Sequence, residues 1–374
     1  MVVLAWAAVV VAVTSSLLSR FRKHLQGMSV ALVMLFSVQV FALADSSIDL
    51  STHYYDLSAG LMVIKPSIAY ENKMSLDTTI NGRFTLDRVR SGGDEFDSIS
   101  SASQLAGNSV AHTDVRQEYS AGVSHTIKDW KLDAGYVMSL EDDYRSNAPS
   151  LSLSKDFNQR NTTLSLGYAH NFDWVKGIYM DEAKDKNVEN ASVSLSQVLT
   201  PTSLMQISYS LQYNAGFLAT GNRQVLLENA LMYDEYLPGT RLRQAIGLRA
   251  AKWLANGTVV HGAYRYYRDD WGLDSNTAEL RLYQPLGAGF RLRAEYRYYR
   301  QDSADFIRDT YTGSERYLSS ASSLRAFSSH LVGLKLTYQP KNLDNIQIHM
   351  KYERYSQING LDGNVLMLST ESLY

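Results

Sequence analysis

From residue 290 to residue 299 apolar and charged side chains alternate without a break. Phe290, Leu292, Ala294, Tyr296 and Tyr298 fall on one parity, and Arg291, Arg293, Glu295, Arg297 and Tyr299 on the other. A strand sends successive side chains to opposite faces, so this segment is predicted to be a strand with one apolar and one charged face. A helix would scatter the same residues around its circumference. The motif Tyr264-Arg265-Tyr266-Tyr267-Arg268-Asp269 returns 32 residues later as Tyr296-Arg297-Tyr298-Tyr299-Arg300-Gln301. That interval holds two strands, so the copies are expected to run in the same direction at one height. Tyrosine pairs at one level, each followed by polar residues, are the outward mark of a transmembrane β-barrel, in which Tyr264, Tyr266, Tyr296 and Tyr298 form an aromatic girdle. A soluble antiparallel sheet with tyrosines packed between layers is the competing reading.

The same alternation recurs along the chain. Residues 48–56, 61–70, 74–87, 115–123 and 130–143 read as strands, as do 148–156, 162–172, 188–199 and 202–213. Residues 241–254, 258–269, 276–284, 290–301, 329–338, 346–355 and 364–374 complete the series. The expected count is 16. Tight turns are predicted near 71–73, 128–129, 158–161, 200–202, 255–257, 286–289 and 340–343, with longer loops such as 88–111, 173–187, 214–240 and 303–327 on the other rim. Short turns on one rim and long loops on the other is the layout of an outer-membrane barrel, and a soluble sheet has no need of it. The fold class expected is therefore all-β, an antiparallel up-and-down barrel of about 16 strands. Its last strand is the least regular, because Thr370 and Ser372 interrupt the apolar parity before Tyr374.

The N-terminus changes the picture of where the fold begins. Residues 28–41 are apolar, follow Arg20, Arg22 and Lys23, and end in Ala42-Leu43-Ala44. A basic region, an apolar core and an A-x-A exit predict a secretory signal peptide cleaved after Ala44. The further apolar run 1–18 has two readings, a start placed upstream of the true one or an N-terminal membrane helix. The expected division is residues 1–44 as upstream segment and signal peptide, and 45–374 as barrel.

Composition narrows the chemistry. The chain has no Cys, which excludes disulfide scaffolds, thiolate metal sites and cysteine nucleophiles. A net charge of −2 does not suit a nucleic-acid binder. Histidines are dispersed singly, and neither G-x-S-x-G, H-E-x-x-H nor a Gly-rich phosphate loop occurs, so no catalytic, metal or cofactor site is assigned. The alternative kept open is a lipase- or protease-type barrel enzyme with a site on its rim. Asp94, Glu95 and Asp97 form either a solvated acidic loop or a Ca²⁺ loop. Arg265, Arg291, Arg293, Glu295 and Arg297 are the candidate lumen-lining residues. They either line a water-filled pore and set its ion preference, or pair across strands and close the interior.

Several segments carry a resemblance: Gln197-Val198-Leu199-Thr200-Pro201, Pro238-Gly239-Thr240-Arg241, residues 264–271 (YRYYRDDW) and residues 296–306 (YRYYRQDSADF), with the Ser/Ala-rich run 97–103. In these the chain resembles the bacterial family designated domain of unknown function 3570, expected to be outer-membrane barrels. The resemblance implies residence in the outer membrane among its lipids. It further implies partners such as a small lipoprotein or a flavinylated redox protein of the envelope, and so a role in electron transfer. The functional expectation is a pore for small solutes or a scaffold for such a partner.

Overall fold

A computed structural model describes residues 46–58, 60–91, 112–343 and 345–373. The segment 1–44, where a signal peptide is expected, the residues 94–97, the run 97–103 and Tyr374 lie outside the described residues.

The strands are β1 (Ser46–Leu57), β2 (Met62–Lys73), β3 (Thr78–Ser91), β4 (His112–Ile127), β5 (Trp130–Leu140) and β6 (Tyr144–Phe157). They continue as β7 (Thr162–Val175), β8 (Lys184–Thr200), β9 (Ser203–Gly216), β10 (Gln224–Leu226), β11 (Met232–Asp234) and β12 (Thr240–Trp253). The chain closes with β13 (Val259–Asp269), β14 (Asp274–Gly287), β15 (Phe290–Gln301), β16 (Phe327–Tyr338), β17 (Ile346–Gln357) and β18 (Asp362–Leu373). Each strand pairs antiparallel with the next, β9 pairs with β12 past the small β10–β11 hairpin, and β18 pairs with β1. Among the described residues this is a closed barrel of 16 strands. Closure leaves the barrel without an open edge strand.

The alternation assigns the two faces. Leu166, Ile207, Leu248, Leu280, Val332 and Met350 point outward, and the last is 54% exposed. A continuous belt of exposed branched apolar side chains is incompatible with a water-facing surface of this extent, but it is what a barrel presents to hydrocarbon. Several outward tyrosine hydroxyls are bonded to a polar neighbour: Tyr136 to Asn147, Tyr209 to Gln244, Tyr264 to Asn276 and Tyr352 to Asn364. Trp130, Phe157 and Phe290 form the belt at the opposite rim, with Lys155 Nζ over the Trp130 ring at 4.5 Å. The repeated motif behaves as its spacing requires. Tyr264 lies across Ala278 from Tyr298, two residues beyond Tyr296, and the tilt of the strands brings Tyr296 back to the height of Tyr264.

Two expectations about connections need correction. The turn expected at Glu71-Asn72-Lys73 is paired strand, with Asn72 opposite Ile80, and the reversal falls at residues 74–77. Polar residues continue the ladder beyond the hydrocarbon edge, while Leu76 sits fully exposed in the turn. The region 214–240, expected to be irregular, contains the β10–β11 hairpin. It joins the loop 302–326 through the bridges Leu227–Tyr311 and Tyr236–Leu318, and the two loops share a core of Val225, Leu227, Tyr311 and Leu318.

Candidate functional site in the barrel lumen

The inner wall divides into two unlike halves. One half, from β4 to β9, carries small hydroxyl and amide residues. Following one hydrogen-bonded row across the strands gives Gly122, Gly135, Ser150, Ala169, Asn190, Gln212 and then Arg243. A row nearer the short-turn rim runs Ser154, Ser165, Ser194, Ser208, Gly247 and Arg265. The row after that runs Thr163, Ser196, Gln206 and Arg249. All three rows of small polar side chains end on an arginine of β12 or β13.

Small side chains on this half leave space. A cavity of about 630 Å³ lies between Ser120, Gly135, Ser150, Ser192 and the Arg243–Arg265–Tyr267 edge. A second, also about 630 Å³, lies between Ser196, Gln206, Ser208 and Arg249, His261, Arg281. The two share Ser210, Ala245 and Arg265, so Arg265 stands at their junction. Gln212 is held by Arg243 Nη1 donating to its Oε1 at 2.9 Å and itself donates to Asn190 Oδ1 at 2.9 Å. Arg243 Nε has no acceptor. Among the described residues no carboxylate lies within ion-pair distance of Arg243, Arg249 or Arg265.

The other half, from β14 through β18 to β3, is filled by long charged side chains. All five residues expected on the lumen face inward. Glu295 binds Arg281 at 3.3 Å and Arg293 at 3.2 Å, and Arg281 also reaches Glu279 at 2.8 Å. Arg291 and Arg297 make no ion pair among the described residues. Residues that strand-by-strand reading did not single out complete this wall: Lys335 opposite Arg293, and Lys351 opposite Lys335 and bound to Glu353 at 2.9 Å. The same parity that placed Leu334 and Leu336 outward would have found Lys335. The ladder is thus split, with Arg293 and Glu295 in the paired wall and Arg265 beside open space.

The girdle residues face outward. Tyr264 bonds Asn276, Tyr266 bonds Asp274, Tyr296 bonds His330 Nδ1 at 2.8 Å, and the Tyr298 ring lies 5.1 Å from that of His330. The remaining tyrosine of each repeat, Tyr267 and Tyr299, turns inward and has a separate use. Tyr267 donates to Asp269 Oδ2 and Tyr299 to Gln301 Oε1, both at 2.6 Å, and Tyr355 donates to Gln357 Oε1 at 2.8 Å. Each receiver then holds an outer loop or its neighbour. Asp269 accepts the backbone N–H of Trp271 and Leu273, and Gln301 donates to the carbonyls of Ser323 and Arg325.

Those loops narrow the mouth. Trp271, Leu273, Ala304, Ile307, Ala321 and Leu324 form a core that packs on inward-facing Tyr267, so the loop 302–326 folds over the inner edge of the rim. On the far side Asn222 donates to Asp143 and accepts from the Ile178 N–H, tying the loop 217–239 to the β5–β6 and β7–β8 connections. Asp114, Glu141 and Asp143 lie together at this rim, their carboxylate oxygens within 4.8 Å of one another.

A closed barrel with an apolar outer belt, aromatic rims and a polar interior defines a membrane-spanning β-barrel of the outer-membrane class. Over residues 25–181 and 175–371 the chain matches, and belongs to, the family described as "Protein of unknown function (DUF3570)". Among solved structures it is similar to a bacterial polysaccharide outer membrane secretin, at 8% identity and a TM-score of 0.48 over 89% of this chain and 100% of the other. It is also similar to OccK1 (OpdK) of Pseudomonas aeruginosa, at 9% identity and a TM-score of 0.45 over 87% and 97%. A third similarity is to the ferric enterobactin receptor PfeA of Pseudomonas aeruginosa, at 12% identity and a TM-score of 0.44 over 84% and 54%, so this chain spans about half the receptor. A comparison with curated proteins finds no match.

Proposed function

We propose that the protein is an outer-membrane pore that passes small hydrophilic solutes and prefers anions. The observation that carries this reading is the pair of lumenal cavities meeting at Arg265: they are lined by small hydroxyl and amide side chains and by Arg243, Arg249 and Arg265, which make no ion pair among the described residues, whereas the lining carboxylates Asp133 and Glu279 are paired with Lys131 and Arg281. A hydroxyl wall replaces part of a solute's hydration shell, and arginines without carboxylate partners set the sign of the potential in the channel. The filled, ion-paired half acts as the rigid wall against which the channel runs. His125, His170 and His330 face outward, His261 packs on Tyr283 and His349 on Thr337.

Purified protein in planar bilayers should conduct with a reversal potential on the anion side in a KCl gradient. Arg265→Glu should move that potential toward cation preference. A silent barrel that co-purifies with a lipoprotein or flavinylated partner would reject the pore in favour of a scaffold.

A further inference from the structure

Resting on the pore reading, we infer that the solutes this lumen selects are polyhydroxylated anions, the class of sugar acids and sugar phosphates. Two requirements are built into adjoining strands of one inner wall. The charge requirement comes from Arg243, Arg265 and Arg249, which lie on successive levels and leave their guanidinium groups free of carboxylates among the described residues. A planar guanidinium binds carboxylate or phosphate by paired N–H donors, so it favours oxyanions over halide.

The hydroxyl requirement comes from the neighbouring strands β8 and β9. Ser192, Ser194, Ser208 and Ser210 present rotatable groups that both donate and accept, and Asn190 and Gln212 add amides. A solute with hydroxyls along its length exchanges water for these partners at each step, whereas an anion with an apolar body leaves the wall unsatisfied. On the inward parity the apolar residues of the cavities are Val137, Ala169, Leu204, Ala245, Ala251 and Ala263, of which Leu204 alone is large, so they offer no continuous greasy track. Tyr267 gives the path an aromatic face beside Arg265, with the guanidinium 5.5 Å from its centroid, where a pyranose or a planar acid group could stack. Each cavity, at about 630 Å³, has the volume of a small-ligand pocket and room for a monosaccharide.

The test is a set of bi-ionic reversal potentials for chloride, gluconate and benzenesulfonate on the full chain in planar bilayers. It is paired with liposome swelling in sorbitol and gluconate. Gluconate should permeate faster than benzenesulfonate, although both are organic monoanions of comparable size, and faster than uncharged sorbitol. Arg265→Gln and Arg249→Gln should each cut the gluconate-to-sorbitol ratio several-fold, and Ser192→Val with Ser208→Val should remove the advantage over benzenesulfonate while chloride still passes. An anion-selective channel in which benzenesulfonate matches or outruns gluconate overturns this inference and leaves the pore standing. Absence of any conductance overturns both.

Discussion

Lys335 stands directly across the β15–β16 ladder from Arg293, and Lys351 stands directly across from Lys335 on the other side. Three cations therefore occupy one rung of the inner wall. Arg293 and Lys351 are relieved by Glu295 and Glu353 on the next rung, each within about one side-chain length. Lys335 makes no ion pair among the described residues. Like charges directly opposite are unfavourable by roughly 0.2–1 kcal/mol per pair. Lys335→Gln should therefore stabilise the barrel, raising its unfolding midpoint in urea, while Glu353→Gln should lower it. A drop in the midpoint of Lys335→Gln would show that the rung is held by something other than repulsion between its members.

Asp269 is the keystone of the outer rim above the cavities. Its Oδ2 accepts from Arg241 Nε at 2.9 Å and from Tyr267, and its Oδ1 accepts two backbone N–H groups. The Arg241 guanidinium stacks 4.2 Å from the Trp271 ring, and both partners of the ion pair are buried. Removing one partner of a buried pair leaves an uncompensated charge, with a cost of about 3–5 kcal/mol. Asp269→Ala should destabilise by about that much and release protection of the Trp271–Leu273 amides to hydrogen exchange. Tyr267→Phe loses one hydrogen bond and should cost about 1 kcal/mol. Equal effects for the two substitutions would mean the carboxylate is not the centre of this rim.

Inward glycines face inward serines, and this keeps the open wall low. A Cβ at Gly135 would come within 2.9 Å of Ser150 Oγ, at Gly167 within 2.9 Å of Ser192 Oγ, and at Gly247 within 2.8 Å of Ser208 Oγ. In each case the neighbour is a hydroxyl that can rotate away, so a side chain is admitted and projects into the channel. Gly247 is opposite Arg265. Gly247→Phe should still fold, as judged by heat-modifiable migration on gels, but single-channel conductance should fall several-fold. An unchanged conductance in a folded variant would place the current path elsewhere.

Much of this architecture was legible because a barrel wall shows hydrocarbon and water on alternate residues. Phe290 to Tyr299 reads as a strand from that pattern alone, and the outward placement of Tyr264 and Tyr296 follows from it. What the pattern does not carry is which residue faces which across the ladder. Arg293, Lys335 and Lys351 lie 42 and 16 residues apart in the chain and meet only through register, so their shared rung was not visible. One turn at the rim was misplaced for a related reason. Glu71 to Lys73 looks like a turn by polarity, yet at the water-facing end of a strand polarity and pairing coexist. The repeat drew attention to its outward tyrosines, while the inward Tyr267 and Tyr299 hold the loops, and a third such tyrosine, Tyr355, lies outside the repeated motif.

The loop that covers the mouth contains a turn whose stability should depend on acid. Glu315 accepts from the backbone N–H of Thr312 and of Gly313, and from the Thr312 hydroxyl. The Thr312 N–H, with the Glu315 and Gly313 N–H groups, holds this carboxyl below its ordinary range. A carboxyl depressed in the folded state stabilises the turn above its unfolded pKa, and that stabilisation is lost as pH falls through the folded value. In nanodiscs, protection of the Thr312 and Gly313 amides against hydrogen exchange should persist at pH values where a free glutamate is already protonated, then collapse on further acidification. Glu315→Gln should flatten that dependence while leaving the barrel strands unaffected. If the wild-type turn opens at the pH of an ordinary glutamate, the three donors do not hold the carboxylate in solution. The loop would then stay tied to the rim by its apolar cores, by Gln301 and by the bridges to Leu227 and Tyr236.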